Sequence, residues 1–250
     1  DKNGKCYSIH FYTYSLFVLP VKKLLAPFII HPVKVLWYAN ALFFLIAIYI
    51  VLFFNSNKEF FNVCVALLFY YSTTQWYVIW PHPEALICSL LFIGLWLSFI
   101  SKKPYWGLFL SALAATQFQP LALITVMLAL KILFAEGVSV KVLLKLFFCS
   151  LIVLVPSVFY YYHFGVTNLV SELGYLDSKY MTFNRTWGFF FDFNQGLIIS
   201  FTVLLIVYLS LLSIVSAQRI KRKEWKLFDF SYFILPIAVI VVVIRSEEHT

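Results

Sequence analysis

The sequence predicts an all-α, polytopic integral membrane protein, and three observations carry that prediction. Of the 250 residues, 62% are hydrophobic and only 12% charged, with a mean hydropathy of +0.89, far from the balance of water-soluble domains. From Val33 onward, apolar runs recur that approach the twenty or so residues needed to cross a hydrocarbon core of about 30 Å. Segments of about ten residues alternating apolar and polar, which a membrane barrel needs, do not occur.

The runs place spans at Val33 to Phe54, Phe60 to Trp80, Glu84 to Ser101, Val142 to Tyr162, Leu197 to Ala217 and Phe230 to Ile244, within a single transmembrane domain of residues 1–244. Asp1 opens, without a methionine, in a polar, tyrosine-rich segment that reads as the middle of a loop, so an earlier span is expected upstream. Residues 245–250, Arg-Ser-Glu-Glu-His-Thr, translate a widely used sequencing adapter and are set aside as a scar. Without Arg245, Glu247 and Glu248 the 19 basic and 11 acidic residues become 18 and 9. Much of that excess sits in short loops, which marks topology and not a nucleic-acid surface.

Residues 1–32 are apolar after His10 but are interrupted at Pro20 and Pro27 and carry Lys22 and Lys23. Such a segment lies along the interface as one or two juxtamembrane helices. Its Tyr7, Tyr12 and Tyr14 either anchor at the interface or stack on a sugar. The basic loops at Lys102-Lys103 and at 218–226 belong in the cytoplasm by the positive-inside rule. Counting back from each puts residues 1–32, Pro81-His82-Pro83 and the loop 163–196 on the extracytoplasmic face.

Both anchors hold only if Gly107 to Phe134 enters and leaves on the cytoplasmic side. At its centre stands Thr116-Gln117-Phe118-Gln119-Pro120, where proline removes a helix hydrogen bond and disfavours helix at the residue before it. The expected structure is a hairpin of two short helices, 107–119 and 120–134, with Gln117 and Gln119 facing a wet cavity. The alternative is one long tilted helix with a proline kink, which would put Lys131, Lys141 and Lys145 outside.

Polar chemistry is then concentrated on one face: His10, His31, His82 and His163 with Asp1, Glu84, Glu172, Asp177, Arg185 and Asp192. Trp80-Pro81-His82-Pro83-Glu84 ends one helix and begins the next. Glu84 there either favours the positive end of the helix dipole or, with His82, binds a polar or phosphate-linked head group. Asp192 and Asn194, set among four phenylalanines, suit hydroxyls beside an apolar wall, although Asn194 also suits a helix cap. Asn184-Arg185-Thr186 is a short N-glycosylation pattern, meaningful only in a eukaryotic lumen. Cys6, Cys64, Cys88 and Cys149 form no CxxC pair and read as packing residues. No metal ligand set or nucleotide motif is present, so no cofactor is expected and a divalent metal is left open.

The polar first loop with its juxtamembrane helices, the turn His82-Pro83-Glu84, the hairpin broken at Gln117 to Pro120 and the Asn194-Gln195-Gly196-Leu197 approach to a late span resemble the GT-C superfamily of polytopic glycosyltransferases. The likeness is strongest to bacterial relatives of the dolichyl-phosphate-mannose protein mannosyltransferases. It is a likeness of layout over most of residues 1–244. It implies transfer of a sugar from a polyprenyl-phosphate donor to a hydroxyl acceptor on the outer face of a bacterial inner membrane. By the same resemblance Asp1 is the general base, while His10, His82, Glu84, Gln117, Gln119, Asp192 and Asn194 are the substrate-binding candidates that the residues themselves offer. Residues 1–32 hold no acid besides Asp1, where the family often has a second, so that the second acid either lies upstream of Asp1 or is lacking in a non-catalytic relative, and glutamines stand where a lysine often precedes the hairpin proline. The competing expectations are an accessory membrane subunit without catalysis, or a transporter or flippase of a lipid-linked polar substrate.

Overall fold

The computed structural model describes residues 12–28, 31–54, 59–72 and 74–167. The chain divides into two compact units, Asp1–Thr167 and Asn168–Thr250, and every described helix belongs to the first. Asp1, His10, Asp192 and Asn194, the expected spans 197–217 and 230–244, and residues 245–250 lie outside the described residues.

The described residues are helical, with no strand among them. Three stretches, Val33–Phe53, Gln119–Glu136 and Val140–Phe164, are long and apolar enough to cross a membrane, and the chain is a membrane protein.

Helix α1, Thr13–Leu25, spans about 20 Å by the helical rise, too short to cross hydrocarbon. It lies against α2, Pro32–Phe53, where the rings of Tyr14 and Phe17 meet Phe43 edge-on at 6.5 and 6.2 Å. Apart from Lys34 and the buried Asn40, helix α2 is apolar on every side. Ala39, Phe43, Phe44, Ala47 and Val51 are buried while Leu42, Leu45, Ile46, Tyr49 and Phe53 are exposed. A water-soluble helix keeps polar residues on its outer face, whereas here lipid takes that place.

The expected span 60–80 is divided into α3, Glu59–Tyr70, and α4, Thr74–Val78. The Ser72 hydroxyl donates to the Phe69 carbonyl at 2.7 Å and accepts from the Thr74 N–H at 3.2 Å. This local bonding competes with the helical ladder and ends α3. After the double-proline turn comes α5, Glu84–Phe99. Phe44, Ala47 and Val51 of α2, Ala66 and Phe69 of α3, and Ile93, Trp96 and Leu97 of α5 form a buried cluster, with Phe69 stacked on Phe92 at 4.0 Å.

Helix α6, Pro104–Gln117, ends where Phe118 turns extended at φ −132°, ψ 91°. A 3-10 turn, Gln119–Leu121, leads into α7, Ala122–Glu136. The chain reverses here, because the Tyr105 hydroxyl at the start of α6 donates to Glu136 Oε2 at the end of α7 at 2.7 Å. A continuous helix would hold residues 31 positions apart separated by about 47 Å. The break falls where proline lacks the N–H and restricts the residue before it.

Helices α5 and α6 cross with their backbones in close approach. A Cβ on Gly94 would stand 2.7 Å from Ser111 Oγ and 2.9 Å from the Gly107 carbonyl, and one on Gly107 would overlap Ser98 and the Gly94 carbonyl. Gly94 and Ser98 on one helix, and Gly107 and Ser111 on the other, are each four residues apart, the small-residue spacing that lets membrane helices touch.

The expected span Val142 to Tyr162 comprises α8, Val140–Ser150, a 3-10 turn at Leu151–Leu154 and α9, Val155–Phe164. Pro156 cannot donate to the carbonyl four residues back, and the Ser150 hydroxyl occupies the Leu146 carbonyl at 2.7 Å. Cys64, Cys88 and Cys149 are free thiols, half-buried along these helices.

Candidate functional site

The contacts sort the side chains to two ends of the first unit. At one end Asn40 of α2 meets the turn before α5, and at the other Phe54 meets Trp96 at 6.2 Å and Lys103 Nζ stands 4.1 Å from the Phe54 ring. Helices α2 and α5 therefore run parallel. His82, Glu84, Gln117 and Gln119 gather at the Asn40 end, and Lys102, Lys103, Tyr105 and Glu136 at the other. Lys131 belongs to the basic end too, where its Nζ donates to the Ser98 carbonyl in the last turn of α5 at 2.7 Å and lies 3.5 Å from the Phe99 ring centre.

Asn40 is the centre of the polar end. It is fully buried, and the two hydrogens of its Nδ2 are shared among the carbonyls of Tyr77 at 3.2 Å, Trp80 at 2.6 Å and His82 at 3.2 Å. Its Oδ1 accepts from the Tyr14 hydroxyl at 2.9 Å. One amide thus holds the double-proline turn in place and joins it to α1. Burial pushes the Tyr14 phenol up to about 12, with the Asn40 hydrogen bond opposing the rise and the Glu84 charge adding to it.

The hairpin tip closes on the other side of Tyr14. Gln117 Oε1 accepts the Tyr14 backbone N–H at 2.8 Å, satisfying one of the open donors of the first turn of α1, which has no side-chain cap of its own. Thr13 and Thr116 hydroxyls lie 2.6 Å apart. The single Thr116 hydrogen goes to the Leu113 carbonyl at 2.7 Å, so Thr13 is the donor between them. Gln119 Nε2 reaches Ser157 Oγ of α9 at 3.4 Å.

Of the residues singled out in the sequence, His82, Glu84 and Gln117 are thus linked through Tyr14 and Asn40, while Gln119 faces α9. His82 and Glu84 form an open pair, Nδ1 to Oε2 4.0 Å, with side chains 50% and 38% exposed. Glu84 stands in the first turn of α5, where a carboxylate meets the positive end of the dipole. Its Oε2 is nevertheless inaccessible and has no hydrogen-bond partner, and the same holds for Gln117 Nε2. Gln117 meets Tyr14 through its other amide atom, and Glu84 acts on the Tyr14 phenol through its charge.

Asn40, Thr13 and Thr116 carry more of this geometry than their sequence context shows. A lone asparagine eight positions into an apolar run was the available signal for Asn40, since an amide at that depth needs internal partners. No family model, curated protein or solved structure matches this chain.

Proposed function

We propose that this protein is a membrane glycosyltransferase that moves a sugar from a polyprenyl-phosphate donor to a hydroxyl acceptor at the polar end of the bundle, on the extracytoplasmic face. The observation that supports the reading is the hairpin tip. Its backbone leaves helical geometry between apolar helices, as is tolerated where chain is buried or lines a wet cavity, and it abuts α1 at the end of the bundle that carries the His82–Glu84 pair. In this reading Gln117 and Glu84 face the polar head of the donor, His82 the open side, and Asp1 removes the acceptor proton.

The test is an assay of membranes carrying the full-length protein with a radiolabelled polyprenyl-phosphate hexose and extracted acceptors. Transfer is expected, and Asp1→Asn should reduce it by about 100-fold or more, the contribution of a general base. Normal transfer by Asp1→Asn would remove the base assignment, and no transfer by any donor would remove the enzyme reading. An accessory role is favoured by one observation: Asn40, Thr13 and Thr116 spend their hydrogen bonds inside the fold. A folded full-length protein without transfer would leave that role in its place.

A further inference from the structure

A groove of about 1150 Å³ opens at the basic end, between the start of α6, the end of α7 and α8. Lys102, Lys103, Lys141 and Lys145 line it, all four exposed. Among the described residues none of them pairs with a carboxylate. Glu136, the one acid in the lining, receives the Tyr105 hydroxyl. Lys145 Nζ sits over the Tyr105 ring at 4.8 Å. Two helices, α6 and α8, also begin at this groove, so their positive ends add to the lysine field where lysine is least favoured.

The backbone adds an independent observation. Helix α5 closes with the Lys103 N–H on the Leu97 carbonyl at 3.0 Å, and Lys102 holds the left-handed position of that turn at φ 57°. Glycine is the residue that fills this position without strain. A lysine there keeps a fourth cation at the groove against the local conformational preference. Apolar side chains alternate with these lysines in the same lining and are open: Trp106, Leu144 and Phe148 are 64%, 52% and 67% exposed. Cations at a membrane-facing groove with open apolar side chains match an anionic head group carrying acyl chains.

We infer that this groove binds the phosphate head group of an anionic phospholipid, with its chains along Trp106, Leu144 and Phe148. The full-length protein, purified in an uncharged detergent, would be incubated with equal phosphatidylglycerol and phosphatidylcholine of the same chain length, and retained lipid counted by native mass spectrometry. One phosphatidylglycerol should be retained, preferred at least tenfold. Lys141→Gln with Lys145→Gln should abolish the preference, at about fivefold per lysine, while Lys141→Arg with Lys145→Arg should keep it. Lys102→Gly should raise the melting temperature and still weaken the preference about fivefold, which separates binding from folding. Equal retention of the two lipids, or a preference unchanged in the double glutamine variant, would overturn the inference. Displacement by millimolar inorganic phosphate would also overturn it, since the ligand would then be the free anion.

Discussion

The Tyr14 hydroxyl and Asn40 Oδ1 are 2.9 Å apart, and through that bond a helix too short to cross the membrane is fixed to one long enough to do so. Gln117 holds the same tyrosine by its backbone N–H. The first helix, the hairpin tip and the His82 turn are thus one hydrogen-bonded assembly, and its energetics can be tested residue by residue.

Asn40→Asp should destabilise the protein by about 3 kcal/mol, because a carboxylate only accepts and would face the carbonyls of Tyr77, Trp80 and His82. Unfolding in graded denaturing detergent measures this. A variant as stable as the parent would show that the amide is not the centre of the polar end.

Gly107→Ala should cost about 1–3 kcal/mol, since its Cβ meets the Gly94 carbonyl and Ser98 with no room to relax. Gly137→Ala is the comparison. At φ +78°, ψ 168° with nothing within 4 Å, it meets only backbone strain, about 1–3 kcal/mol. Melting curves of the two variants with Gly107→Val, which should fall furthest, test the close crossing of α5 and α6.

Alkaline stability should depend on Tyr14. Its phenol ionises near 10 when unfolded and about 12 in the fold, so the fold holds the proton more tightly. That stabilisation is complete below about pH 10 and is lost as pH rises through about 12. Tyr14→Phe should lack this loss, and identical stability profiles for parent and variant between pH 9 and 12 would exclude it.

Glu84→Gln should leave the fold within about 0.5 kcal/mol, since Oε2 makes no hydrogen bond and the side chain is partly exposed. Under the transferase reading it should nonetheless lower transfer by about tenfold, the loss of one polar contact to the donor head. Unchanged transfer would take Glu84 out of the donor site.

The reversal at Phe118 predicts sidedness. In a background free of native cysteines, Lys102→Cys and Val138→Cys should be labelled by an impermeant thiol reagent from the same side of sealed vesicles, and His82→Cys from the other. Labelling of positions 102 and 138 from opposite sides would restore a single kinked span.

Chain-local properties were legible in the sequence. The apolar runs, the helix break before Pro120 and the start of α5 after Pro83 each follow from hydrocarbon thickness or from proline's missing N–H, and neither requires a distant partner. The divisions at Ser72 and at Leu151–Leu154 were less legible, because whether a serine bonds its own turn or continues the helix depends on its neighbours. Tertiary structure alone decided the roles of Asn40 and Gln117. The partners of Asn40 are carbonyls 37 to 42 residues ahead, and Gln117 serves a helix 103 residues behind it. A buried amide takes its meaning from the groups folding brings within hydrogen-bond reach of it, and only the assembled bundle determines which groups those are.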